Sequence, residues 1–119
     1  MTAPTINIGT VANVFVRQMH FAATGDTELG HKHPYAHLTL LAKGSMAVSI
    51  DGKDTNFVAP SMIYIEANTQ HTLTATSDNA VAYCVHALRE HTGDIINPDM
   101  VPEGAALFNL LNGLTNRDV

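Results

Sequence analysis

The sequence predicts an all-β protein, an antiparallel sandwich or barrel, on three observations. Short runs rich in Val, Ile, Thr and aromatic residues recur at near-even intervals from about residue 5 to residue 88, the composition of half-buried strands. Turn chemistry separates them: Thr24-Gly25-Asp26-Thr27, Lys43-Gly44, Asp51-Gly52, Ala59-Pro60-Ser61 and Ser77-Asp78-Asn79. These are residues that turn the chain by local hydrogen bonding or by tolerating positive φ. No helical period lies between the runs, so the crossover helices of a parallel sheet are missing from the pattern.

Taken in order, residues 5–8 read as a short strand, Gly9-Thr10 as a turn and residues 11–21 as a longer strand. Arg17 and His20 have opposite parity in that run, so they cannot both face the core. Gly30, just before His31, lets the backbone approach a bound group closely. Residues 38–42 and 46–50 follow as strands, and Asp51-Gly52 is a two-residue hairpin signal that returns the chain over residues 53–58. Residues 62–65, 71–75 and 80–88 complete the strands, with a polar turn at 66–70. The tail differs. After Pro98 and Pro102, residues 102–113 read as a short helix, with Glu103 suited to its first turn and Gly113 to its end. Leu107, Leu110, Leu111 and Leu114 form its apolar stripe, packed on its own barrel or on a partner subunit. The chain therefore reads as one domain over 1–119, with a barrel core at about 11–90 and a helical tail at about 102–113.

Composition narrows the function. The net charge is −5 with histidine neutral, and Lys and Arg together number six, which argues against a phosphate-backbone partner and an anionic membrane surface. No apolar run reaches the length of a membrane-spanning helix. Met1-Thr2-Ala3-Pro4 shows no basic run followed by an apolar core, so no signal peptide is expected. The single cysteine, Cys84, cannot form an internal disulfide and reads as inert core in a cytoplasmic, reducing setting. Phosphate loops, dinucleotide fingerprints, His-Glu-x-x-His and nucleophile elbows are all missing.

What remains is histidine. Seven occur in 119 residues, three of them in the stretch His31-Lys32-His33-Pro34-Tyr35-Ala36-His37. Their spacings share parity, so on an extended chain they project to one side. Pro34 pushes His33 towards an extended conformation and, lacking an N–H, implies a bulge or edge before His37. Converging imidazoles suit a borderline divalent metal.

The pattern His31-x-His33-x3-His37-x6-Gly44 resembles the first signature of the cupins: His-x-His, three or four residues, Glu, six residues, Gly. His37 stands where that signature has Glu. The second signature, Gly-x5-Pro-x-Gly-x2-His-x3-Asn, is met at His71; Pro60, Glu66, Asn68 and Ala75 occupy its other places. Asn68 can supply the positive φ of the replaced glycine. The resemblance covers roughly residues 25–88. It implies a jelly-roll barrel, the double-stranded β-helix, and a homodimer. It also implies one divalent transition metal, Fe, Ni, Cu or Zn, held by His31, His33, His37 and His71.

Replacing Glu by His has a consequence. Neutral imidazoles leave a divalent ion's charge of about +2 uncompensated, and inside a barrel that favours an anionic small-molecule ligand. The expected function is a small metalloenzyme of dioxygenase, lyase or isomerase type acting on an anionic organic substrate. The alternative is a non-catalytic cupin that binds metal or a small ligand. Tyr35, Glu66 and His86 are the candidate catalytic groups, with Tyr64 and Tyr83 as further possible donors. His37 is expected to coordinate; the competing role is acid or base beside the metal.

Overall fold

The computed structural model describes residues 2–30, 32–90 and 92–94. Among these residues nine strands follow one another: β1 (Thr5–Val11), β2 (Val14–Phe21), β3 (Thr27–Glu28), β4 (His37–Lys43), β5 (Ser45–Ile50), β6 (Lys53–Val58), β7 (Ser61–Ile65), β8 (His71–Ala75) and β9 (Ala80–Ala87). They form two antiparallel sheets that close over one core, a five-stranded sheet in the order β1-β2-β9-β4-β7 and a four-stranded sheet in the order β3-β8-β5-β6. The expected helix at 102–113 lies outside the described residues.

The local signals mostly act where the sequence places them. Asp51 and Gly52 take φ of 49° and 82°, the double positive φ of a two-residue hairpin, and β5 pairs with β6 from Ile50↔Lys53 outwards. Ala59-Pro60 is a cis peptide between β6 and β7. One expectation fails. The turn predicted at Gly9-Thr10 is strand, with Gly9 paired to Val16, and the chain reverses instead at Ala12-Asn13. Asn13 fixes that position through the far end of β9. Its side chain donates to the Arg89 carbonyl at 2.8 Å and accepts from the Arg89 N–H at 2.6 Å, and its carbonyl accepts from the Leu88 N–H at 2.9 Å. The barrel consequently starts at Thr5 rather than near residue 11.

Inward side chains stack in layers. Between β2 and β9 the register pairs Phe15↔His86, Arg17↔Cys84 and Met19↔Ala82; β4 joins with Thr39↔Cys84 and Leu41↔Ala82. One end of the stack is therefore aromatic and imidazole. The middle is polar, and the other end is the apolar core of Met19, Phe21, Leu41, Met46, Val48 and Ala82, all buried. Each large side chain buried there contributes about 1.5–3 kcal/mol of transfer free energy. Arg17 faces inward with Phe15 and Met19, while His20 faces out and bonds Asn79 at 3.2 Å.

Candidate functional site

The layered strands deliver three histidines to the mouth of a cavity of about 640 Å³. His37 opens β4 and His71 opens β8, one from each sheet, and both are buried. His33 comes from the loop between β3 and β4 and is half-buried. The ring centroids form a near-equilateral triangle: 5.5 Å for His33–His37, 5.3 Å for His33–His71 and 5.2 Å for His37–His71. One nitrogen of each ring lies within 4.8 Å of the others. His31 lies outside the described residues.

The delivery of His33 differs from the sequence expectation. Residues 32–36 are not strand; Pro34 and Tyr35 form a bend, and the ladder begins at His37. Strand parity therefore does not aim His33. A backbone bond does: the Asn68 N–H donates to the His33 carbonyl at 2.6 Å. Asn68 has φ of 61°, so the residue in the signature's glycine position adopts the left-handed conformation and turns its N–H to the loop. Gly30 also acts differently from expectation. A Cβ there would overlap the His71 carbonyl, so the close approach it permits is to the backbone of β8.

The donor set fits a transition metal. His71 Nδ1 lies 3.1 Å from the Thr69 carbonyl; a carbonyl only accepts, so Nδ1 carries the proton and the lone pair resides on Nε2. Imidazole nitrogens bound to one ion sit roughly 3.0–3.4 Å apart, so shifts of about an ångström close the cluster. A three-imidazole set with two of its rings buried suits a borderline transition metal rather than a hard cation.

Around the triangle lie two of the three predicted catalytic groups. Tyr35 stacks on His33 with centroids 4.7 Å apart, and His86 lies 4.8 Å from Tyr35, 6.1 Å from His37 and 4.7 Å from Phe15. His86 Nδ1 donates to the Ala87 carbonyl at 2.9 Å. Burial lowers the His86 pKa below its ordinary 6.5, against the smaller opposing effect of that bond. Glu66, the third group, is exposed in the turn before β8 and does not line the cavity; its carbonyl accepts from Thr69 Oγ1 at 2.7 Å. Tyr64 and Tyr83 also face away, since Ile63 and Ile65 fill the inward parity of β7 and Ala82 and Cys84 that of β9. Cys84 lines the cavity rather than sitting in closed core, and burial pushes its thiol up, so it stays protonated. Sequence reading missed Glu28 and Lys32, which line the cavity, and left Arg17 unassigned although its inward parity was readable.

Two antiparallel sheets closed over a cavity with histidines at one mouth define a double-stranded β-helix protein with a candidate metal centre. The cupin-domain family matches residues 17–86, and the chain belongs to that family. No curated protein matches the chain. Among solved structures it is similar to KdgF from a Halomonas species, at 13% identity and a TM-score of 0.63, over 73% of this chain and 80% of that one. An uncharacterised Klebsiella pneumoniae protein with a double-stranded β-helix domain shares 18% identity and a TM-score of 0.63, over 71% and 76% of the two chains. An RmlC-like cupin from Methanocaldococcus jannaschii shares 17% identity and a TM-score of 0.61, over 71% and 82%. At these identities the likeness is one of fold. No helix among the described residues is long and apolar enough to cross a membrane.

Proposed function

We propose that the protein is a cytoplasmic metalloenzyme in which His33, His37 and His71, joined by His31, hold one Fe, Ni, Cu or Zn ion and present it to a small anionic organic substrate. The observation that carries this is the convergence of three imidazole nitrogens within 4.8 Å at the mouth of the cavity. A bound ion would act as a Lewis acid for a substrate oxyanion, in chemistry of dioxygenase, lyase or isomerase type. Tyr35 and His86 line the cavity beside the histidines and would donate to or accept from that substrate, and Phe15, Ile6 and Ile8, which also line it, would shield it from water. The exposed Met62 and Tyr64 on edge strand β7 suit a homodimer contact. The second reading is a binding protein without turnover. It is favoured by the position of Glu66 outside the cavity: among the described residues the one carboxylate lining it is Glu28, which lies 2.9 Å from Arg17.

Metal content by elemental mass spectrometry tests the centre. Purified protein is expected to take up close to one ion per chain, and the His33→Ala/His71→Ala double variant to lose it. Unchanged occupancy in a folded double variant overturns the assignment. His37→Ala separates its two roles: lowered metal affinity marks a ligand, whereas retained metal with lost turnover marks an acid or base.

A further inference from the structure

One layer below the histidines the cavity wall carries charge. Arg17 on β2 and Glu28 on β3 both line it, with Nη2 of Arg17 2.9 Å from Oε2 of Glu28 and side chains 29% and 20% exposed. The register places Arg17 opposite Cys84, the next inward residue after the Phe15↔His86 pair. That step is roughly 6.8 Å along an antiparallel strand. The pair is incompletely used. Guanidinium has about five N–H donors, and among the described residues it makes this contact and a 4.0 Å approach of Nη1 to the Met19 sulfur. Although it lies so close to Nη2, the buried Oε2 accepts no hydrogen bond of good geometry. The contact is therefore held by charge, outside the two-pronged Arg–carboxylate arrangement. Apolar residues replace such pairs at little cost to stability, so tying the two sheets together does not by itself require one here.

We infer that Arg17 and Glu28 read the far end of the ligand, selecting a group that both accepts and donates hydrogen bonds, a carboxamide, on a molecule whose other end is an oxyanion at the histidines. This deepens the proposed function and rests on its placing of the anion. The choice of carboxamide follows from the charges. Arg17 and Glu28 together are neutral. A second carboxylate would satisfy Arg17 but stand against Glu28 in a partly dry cavity. An alkyl end would leave the guanidinium donors without an acceptor. An ammonium would gain Glu28 and be repelled by Arg17. An amide oxygen on Arg17 with an amide N–H on Glu28 uses both partners and adds no charge.

The probes are glutaramate, glutarate and pentanoate, of one chain length with amide, acid and methyl far ends. Their binding is measured by calorimetry on the zinc-loaded and metal-free protein, with zinc content determined separately. Glutaramate is expected to bind about tenfold more tightly than pentanoate and more tightly than glutarate. The Arg17→Met/Glu28→Leu variant, with apolar side chains of similar reach, is expected to keep its zinc and bring the three probes to within about twofold. Glu28→Gln alone is expected to raise glutarate towards glutaramate, and it serves as the readout should the double variant misfold. A flat series in the wild type, glutarate binding best, no binding of glutaramate, or a preference that survives the substitutions each overturns the inference. Zinc bound with a flat series removes this inference alone; a preference in protein that takes up no zinc removes only the metal reading.

Discussion

The two ends of the barrel are built from the same strands and do opposite things. Along β2 the inward residues run Phe15, Arg17, Met19, Phe21; along β4, His37, Thr39, Leu41; along β8, His71, Leu73, Ala75; along β9, His86, Cys84, Ala82, Ala80. Each starts at the mouth with a ring or an imidazole and ends in closed apolar core. The far end is sealed by turns that bond across, such as Gly25 N–H to the Ala75 carbonyl at 2.8 Å. Ladder pairing supports both ends alike, so the difference lies in the side chains. The core end supplies the free energy that lets the mouth keep polar groups half-buried around an open cavity.

The comparison breaks most visibly under truncation. Phe21 is wholly buried at the core end, and Phe21→Ala is expected to cost about 3–5 kcal/mol. His33 is half-buried at the mouth, and His33→Ala should cost less than about 1 kcal/mol in metal-free protein while abolishing metal uptake. Urea denaturation of the metal-free variants measures both costs. Similar losses at the two ends would mean that the mouth is part of the folding core.

How far this was legible depended on the range of the interaction. The Asp51-Gly52 hairpin, the break at Pro60 and the left-handed Asn68 are set by backbone preferences of a few adjacent residues, and all could be read directly. The histidine spacing showed which residues gather, but not how. Pro34 bends the chain, and His33 is positioned by a bond to Asn68, a partner 35 residues away that no periodicity reveals. The Gly9-Thr10 turn failed for the same reason, because Asn13 is anchored by Leu88 and Arg89. Tyr64 looked inward only while the inner face of β7 was unknown; Ile63 and Ile65 take it. The pairing of Arg17 with Glu28 joins strands of different sheets and left no local mark.

A smaller effect sharpens the contrast at the backbone. At Gly30 an added Cβ would meet the His71 carbonyl, whereas at Gly9 it would meet nothing within 4 Å. Gly30→Ala is expected to destabilise the protein by about 1–3 kcal/mol and to weaken metal binding, because relieving the overlap displaces the backbone that carries His71. Gly9→Ala should stay within about 0.5 kcal/mol and leave metal binding alone. Thermal melting with zinc titration reads both. Loss of stability in Gly30→Ala without loss of zinc affinity would show that His71 tolerates movement of its own strand.

The smallest expected effect is acid sensitivity, which should strike the two ends in separate pH windows. At the mouth, burial depresses the pKa of His86, so the folded protein binds that proton less readily than the unfolded chain does. Its contribution to stability is fully present above the ordinary pKa of 6.5 and is lost as pH falls through the depressed value. At the sealed end, the Thr24 backbone N–H and then its hydroxyl donate to Asp78 at 2.8 and 2.9 Å and lower its pKa. That contribution holds above the ordinary 3.8 and disappears only in stronger acid, and Asp78 is fully exposed, so it is the weaker of the two. Melting temperature measured against pH on metal-free protein should therefore begin to fall below about pH 6.5. His86→Phe, which retains the stacking on Phe15, should flatten that first decline and leave the later one. Asp78→Asn should do the reverse. A first decline that persists in His86→Phe would place the acid-sensitive group elsewhere at the mouth and remove His86 as the ring whose burial costs the protein stability in acid.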